Sequence, residues 1–139
     1  MRILGLDLGS KTCGVAVSDA LCMVARPVET TRFRDQDYES CLTRILQLIK
    51  EHEVHKIVLG LPKHMNGDIG ERGQISMHFK EMLEHNSSVE VVLVDERLST
   101  VQAQRILISA DVSRKKRKAV IDQMAAVTVL QGYLDGQHK

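Results

Sequence analysis

Three features of the chain predict an α/β fold built on a mixed sheet, an antiparallel meander continued by parallel strands and flanked by helices. Two apolar runs bracket a glycine-punctuated turn between Gly9 and Gly14. A helical spacing of three and four begins at Tyr38, and short unbroken apolar runs recur at Ile57-Val58-Leu59-Gly60 and from Val89 to Val94. At 139 residues the chain is long enough for one domain with a substantial core. No repeat, low-complexity tract or linker divides it, so residues 1–139 read as a single domain.

Ile3 to Asp7 and Gly14 to Ser18 are predicted as neighbouring strands of a hairpin, rich in β-branched residues and joined by a flexible connector. Val24 to Thr31 is extended, and Pro27 places it at an edge or an interruption. Together these make a three-stranded antiparallel meander. Tyr38, Leu42, Ile45, Leu46 and Ile49 then mark an amphipathic helix ending near His52. Ile57 to Gly60 has the pattern of a strand covered on both faces, and strand, helix, strand implies a right-handed parallel crossover.

Leu61 to Gly73 reads as a polar loop containing Pro62, Asn66-Gly67, Gly70 and Gly73, with Lys63, His64 and Arg72 as its basic members. A second helix carries Ile75, Phe79, Met82 and Leu83 on one side. Val89 to Val94 is another buried strand, closed by Asp95-Glu96-Arg97. Ser99 with Gln102 fits a capping box, so a third helix is expected from there to about Ala110. Beyond the basic run Arg114-Lys115-Lys116-Arg117-Lys118, a last helix places Val120, Met124, Val127 and Gln131 on one face. Asp122, Ala125, Ala126 and Val129 occupy a neighbouring face.

Hydrophobic content of 43% and charged content of 27% suit a globular protein and exclude the disordered and fibrous classes. Net charge is only +1, yet five of the 19 basic residues are consecutive at 114–118, so positive charge is concentrated as for a local polyanion contact. Cys13, Cys22 and Cys41 are odd in number and lack a C-x-x-C pair, the usage of reduced cytosolic thiols. Met1-Arg2 leads straight into a strand without the apolar stretch of a secretory leader, and no apolar run is long enough for a bilayer. A cytoplasmic protein with no membrane partner is expected.

Asp7 is the anomaly of the first strand, because an unpartnered polar group costs about 2–7 kcal/mol to bury and a charge costs more. Two more acids occupy comparable places: Glu96 just past a central strand and Asp122 near the start of the last helix. Strand ends at one edge of an open α/β sheet form a ligand crevice, and the last helix can reach it if Ala125 and Ala126 permit close packing. Two carboxylates about 4 Å apart repel by about 4 kcal/mol at an effective dielectric near 20, so three together require a shared proton or a divalent cation. An all-oxygen ligand set suits Mg²⁺ or Mn²⁺, and such clusters serve phosphoryl transfer.

Singly, each acid has an ordinary role. Asp7 can shape a turn, Glu96 can pair with Arg97 on the surface, and Asp122 can complement a helix dipole. The combination carries the functional reading. Gly5 to Thr12 nearly matches the phosphate-binding G-x-x-x-x-G-K-[ST] loop, but Ser10 replaces its second glycine and a strand follows where a helix is required. The run 114–118 is an ordinary solvated loop in isolation and a candidate phosphate clamp beside an acid cluster. With two Tyr, two Phe and no Trp, base stacking offers little, so recognition is expected to lean on backbone and shape. His52, His55, His78 and His85 read as helix-surface residues and not as ligands.

The stretches Leu4 to Lys11, Gly60-Leu61-Pro62 with Asn66-Gly67, Asp95 to Thr100, and Arg114 to Lys118 through Ile121-Asp122 to Ala125-Ala126 resemble the bacterial YqgF family, also called RuvX. The resemblance spans nearly the whole chain. It implies a ribonuclease H-like fold with a five-stranded mixed sheet, and a metal-dependent nuclease that matures the 5′ end of pre-16S rRNA or resolves Holliday junctions. The family's acids fall on Asp7, Glu96 and Asp122, as catalytic residues and ligands of Mg²⁺ or Mn²⁺, with two ions expected alongside substrate. Lys11, Arg97 and Arg114, Lys115, Lys116, Arg117 and Lys118 are expected to hold phosphates of structured RNA or branched DNA. Partners are then the nucleic acid and the small ribosomal subunit precursor, the protein acting as a monomer or homodimer. Thr12, where family members often carry Arg, and Lys63-His64 depart from the pattern and affect substrate contacts more than chemistry. A noncatalytic RNA-binding module for ribosome assembly is the alternative from another class. An ATP-binding domain of the actin and sugar-kinase type shares the Asp-x-Gly hairpin but needs two such domains.

Overall fold

The computed structural model describes residues 2–62, 70–95 and 114–137, the side chains of 114–123 excepted. The first hairpin forms as the apolar pattern predicts, from β1 (Arg2–Leu8) and β2 (Thr12–Ser18). β2 starts two residues before Gly14, because Gly9 N–H donates to the Thr12 carbonyl at 2.7 Å and closes the turn over Ser10 and Lys11. β3 (Ala25–Arg32) pairs antiparallel with β2, and Pro27 sits on this edge strand beside an irregularity between Val15 and Ala16. An edge is where a residue without an N–H is tolerated.

α1 (Tyr38–Glu51) begins at Asp37, whose carboxylate accepts from the Ser40 N–H at 3.3 Å. Its apolar stripe buries Cys41, Leu42, Ile45 and Leu48. β4 (Val54–Leu61) and β5 (Glu90–Asp95) run parallel to β1 and to each other, giving the sheet order β3-β2-β1-β4-β5. Between them lies α2 (Glu71–Asn86). The predicted loop therefore ends earlier than Gly73, which is buried within the first turn of α2; tertiary packing outweighs the helix penalty of about 1 kcal/mol for glycine.

The last helix, α3 (Arg114–Gln137), corrects the sequence reading more substantially. The basic run is its first turn and not a loop before it, and Asp122 lies two turns inside the helix instead of near its start. Lys and Arg are good helix formers, and no proline or glycine interrupts the chain from 114 to 131, so nothing delays the helix. The predicted helix from Ser99 to Ala110, with Lys63, His64 and Asn66-Gly67, falls outside the described residues.

Alternation along β1 sends its side chains to two cores. Leu4, Leu6 and Leu8 pack with Ile45, Leu48, Phe79 and Leu83 under α1 and α2, whereas Ile3 joins Ala16, Val58, Ala126, Val129, Leu130 and Leu134 under α3. Each fully buried large side chain contributes about 1.5–3 kcal/mol relative to exposure. Gly5 shares the α3 face, and Asp7, two residues further along, follows it toward the carboxyl edge of the sheet.

Candidate active site at the carboxyl edge of the sheet

The direction of α3 across the sheet decides what can meet Asp7. Near the amino end of β1, Tyr133 Oη accepts from Lys56 Nζ at 3.1 Å, and Lys56 is paired with Ile3. One step on, α3 lies so close to Gly5 that a Cβ there would stand 2.7 Å from Leu130 Cβ and 3.1 Å from the Ala126 carbonyl oxygen. The helix thus runs antiparallel to β1, its amino-terminal half toward the carboxyl edge. Asp7 is two strand residues beyond Gly5, about 6.6 Å, and Asp122 is one helical turn beyond Ala126, about 6 Å. The two backbone positions advance together from the same point of contact. The close approach expected from the small residues of α3 is made by Ala126 against Gly5.

Asp7 is half-buried, and its in-register partner on β2 is a glycine. Gly14 is its partner on β2, and Gly60 is one step beyond the pair Leu6 and Leu59 on β4. Neither glycine adds a side chain next to the carboxylate, an oxygen ligand of the kind that suits Mg²⁺ or Mn²⁺. β5 ends at Asp95, paired with Leu61, at the same edge two strand spacings from β1, about 10 Å. Glu96 and Arg97 lie outside the described residues, and the side chains of Asp122 and of Arg114 to Lys118 likewise. Among the described residues no group of three His, Cys, Asp or Glu side chains gathers closely enough to hold a metal.

Lys11 is exposed at the tip of the β1–β2 turn, and its carbonyl accepts from the Phe33 N–H at 2.9 Å, which fixes the turn against the end of β3. The positions of the basic run continue α3 past Asp122 by about 6–12 Å, beyond the sheet edge. Beneath the site, Cys13 is buried next to Cys41. Their hydrogen bond, followed by burial and by the neighbouring charges, holds the Cys13 thiol well above its ordinary range. It stays protonated and is no nucleophile. All three cysteines are free.

Sequence reading placed Arg72 among the basic residues of a loop and did not bring it together with Tyr38, whereas both line one cavity at the β1–β2 turn. Tyr38 is the first residue of α1, counted in the sequence only as part of an apolar stripe. Arg72 reaches from the first turn of α2 to the carbonyl of Leu8 at 3.2 Å. A cation in a first helical turn opposes the helix dipole, a cue that its role is tertiary.

The RuvX family, described as Holliday junction resolvase, matches residues 1–136. A Bacillus licheniformis protein is 58% identical over 97% of this chain and 97% of its own length, and carries the name "Putative pre-16S rRNA nuclease". A Bacillus subtilis protein of the same name is 55% identical over 97% of this chain and 98% of its own. Among solved structures, Thermus thermophilus RuvC in complex with Holliday junction substrate superposes with a TM-score of 0.64 at 13% identity, covering 99% of this chain and 96% of that one. Fowlpox virus resolvase bound to Holliday junction DNA gives 0.60 at 15%, covering both chains fully at 100%. At such identities the likeness establishes the ribonuclease H-like fold.

Proposed function

Because this chain belongs to the RuvX Holliday junction resolvase family, we propose that it is a nuclease hydrolysing phosphodiester bonds at the 5′ end of pre-16S rRNA. The observation that carries the reading is the common advance of Asp7 and Asp122 from the Gly5–Ala126 contact, at the edge where β5 also ends. Asp7, Asp122 and Glu96 would hold Mg²⁺ or Mn²⁺, as a pair of ions with substrate. When bound, these ions supply charge stabilisation for the leaving oxygen and an activated water. The chain's own residues do the rest. Asp7, paired with Gly14 on β2, supplies one carboxylate ligand at the end of β1. Lys11 at the turn tip, Arg97, and Arg114 to Lys118 at the start of α3 hold phosphates on either side of the scissile one.

Branched DNA is the second substrate reading, favoured by the family description and by the resolvase–junction complexes that share the fold. Cleavage of precursor rRNA and of a four-way DNA junction, measured side by side in Mg²⁺, separates the two. Asp7→Asn is expected to lose more than the about 10–100-fold typical of an outer-shell metal partner. An Asp7→Asn protein that cuts both substrates at the wild-type rate overturns the mechanism. Wild-type protein that binds precursor rRNA without cutting it, and binds no metal, is instead an assembly module.

A further inference from the structure

A cavity of about 180 Å³ opens between the β1–β2 turn and the start of α2, lined by Leu8, Gly9, Gln36, Tyr38, Glu71 and Arg72 among others. No step assigned to Asp7 uses it. We infer that it takes one unstacked nucleobase of the substrate, next to the scissile phosphate, with Tyr38 as the stacking surface and Glu71 and Arg72 reading the base edge. The inference rests on the nuclease reading.

Position is the first argument. The cavity lies on the α1–α2 face of the sheet with Leu8, Tyr38 and Ile75, and Asp7 on the α3 face. Both are nevertheless at the carboxyl edge, and Gly9 is about 6.6 Å along the chain from Asp7, so a substrate strand crossing that edge reaches both. Size is the second, since the cavity is smaller than the 300–1,000 Å³ typical of drug-sized ligands and suits a single ring system. Chemistry is the third. Tyr38 is half-buried and braced edge-on by Phe33, with ring centroids 5.9 Å apart at 61°. A carboxylate and a guanidinium side by side are poorly matched to a phosphate, which the carboxylate repels. They suit a neutral edge carrying both an amine donor and a carbonyl acceptor.

The cavity is also held ready. Arg72 is pinned by one N–H on the Leu8 carbonyl at 3.2 Å, which holds its guanidinium at the cavity wall. Gln36 N–H donates to the Ser10 carbonyl at 2.8 Å while Gln36 itself adopts φ 62°, a left-handed backbone that costs free energy in a residue other than glycine. Asp37 caps α1 and so fixes where Tyr38 begins it. Unstacked bases of RNA loops and single strands are commonly bound on aromatic faces in this way.

The test uses precursor rRNA fragments carrying 2-aminopurine at one position at a time, titrated in EDTA with wild type, Tyr38→Ala and Tyr38→Phe, all checked by thermal melting. One position beside the cut is expected to change fluorescence on binding, the change being lost in Tyr38→Ala and kept in Tyr38→Phe. In Mg²⁺, an abasic residue at that position is expected to lower kcat/KM about tenfold for wild type and not at all for Tyr38→Ala. Absence of a Tyr38-dependent position, or equal abasic penalties in both proteins, overturns the base pocket and leaves the nuclease reading intact. A protein that gives the Tyr38-dependent signal but cuts nothing overturns the nuclease reading and supports the pocket.

Discussion

Replacing Gly5 by alanine probes the contact from which the site is laid out. The new Cβ would stand 2.7 Å from Leu130 Cβ and 3.1 Å from the Ala126 carbonyl oxygen. Neither obstacle is the end of a flexible side chain, so both retreat only if the backbone of α3 moves. Alanine in place of glycine in a strand gains about 0.5–1 kcal/mol, whereas overpacking a core costs about 1–3 kcal/mol. A net loss of about 1–2 kcal/mol is expected, a fall in Tm of about 3–8 °C for a domain of this size. The displacement also shifts Asp122 relative to Asp7, and a misplacement of about 1 Å can cost 10²-fold in rate, so cleavage falls further than stability. Melting by circular dichroism and cleavage well below Tm measure the two effects. Gly132→Ala is the matched control: nothing lies within 4 Å of its added Cβ, so Tm rises slightly and cleavage is unchanged. A Gly5→Ala protein melting at or above wild type with full cleavage refutes the seating of α3 on β1.

The remaining predictions concern the strand position next to Asp7 and one ion pair. Gly60→Val adds a side chain beside Asp7 and is expected to slow cleavage about 10–100-fold, with more Mg²⁺ needed for half-maximal rate; an unchanged Mg²⁺ dependence counts against a cation held at Asp7. Arg44 holds the Glu29 carboxylate through contacts of 2.6 and 3.2 Å and keeps its pKa below the ordinary 4.5. A depressed folded-state pKa means that the stabilisation is present above pH 4.5 and lost as pH falls through the folded value. Glu29→Gln is therefore expected to cost about 1 kcal/mol at pH 7 in urea unfolding, with the gap to wild type closing in acid. A gap that persists in acid assigns the loss to packing.

Local patterns were enough for much of this protein. Turn residues and the change of hydrophobic period located the hairpin, the edge strand with Pro27, α1 and the two parallel strands, because strand and helix periodicities are written in consecutive residues. An acid inside an apolar strand marked Asp7, since burial of charge is costly wherever it occurs. Other features had no local signature. Helix propensity carried the basic run into α3, and packing admitted Gly73 to α2, where composition suggested loops. Which face of β1 meets α3 depends on Gly5 and Leu130, far apart in sequence, and Gln131 fastens the helix to Ala25 across 106 positions. The base-sized cavity depends on Arg72 meeting Leu8 across 64. The sequence by itself determined the elements and nominated Asp7 as the acid at the strand end. The tertiary structure decided its surroundings, because the direction of α3, the pairing with Gly14 and the Tyr38–Arg72 cavity exist only once distant segments pack together.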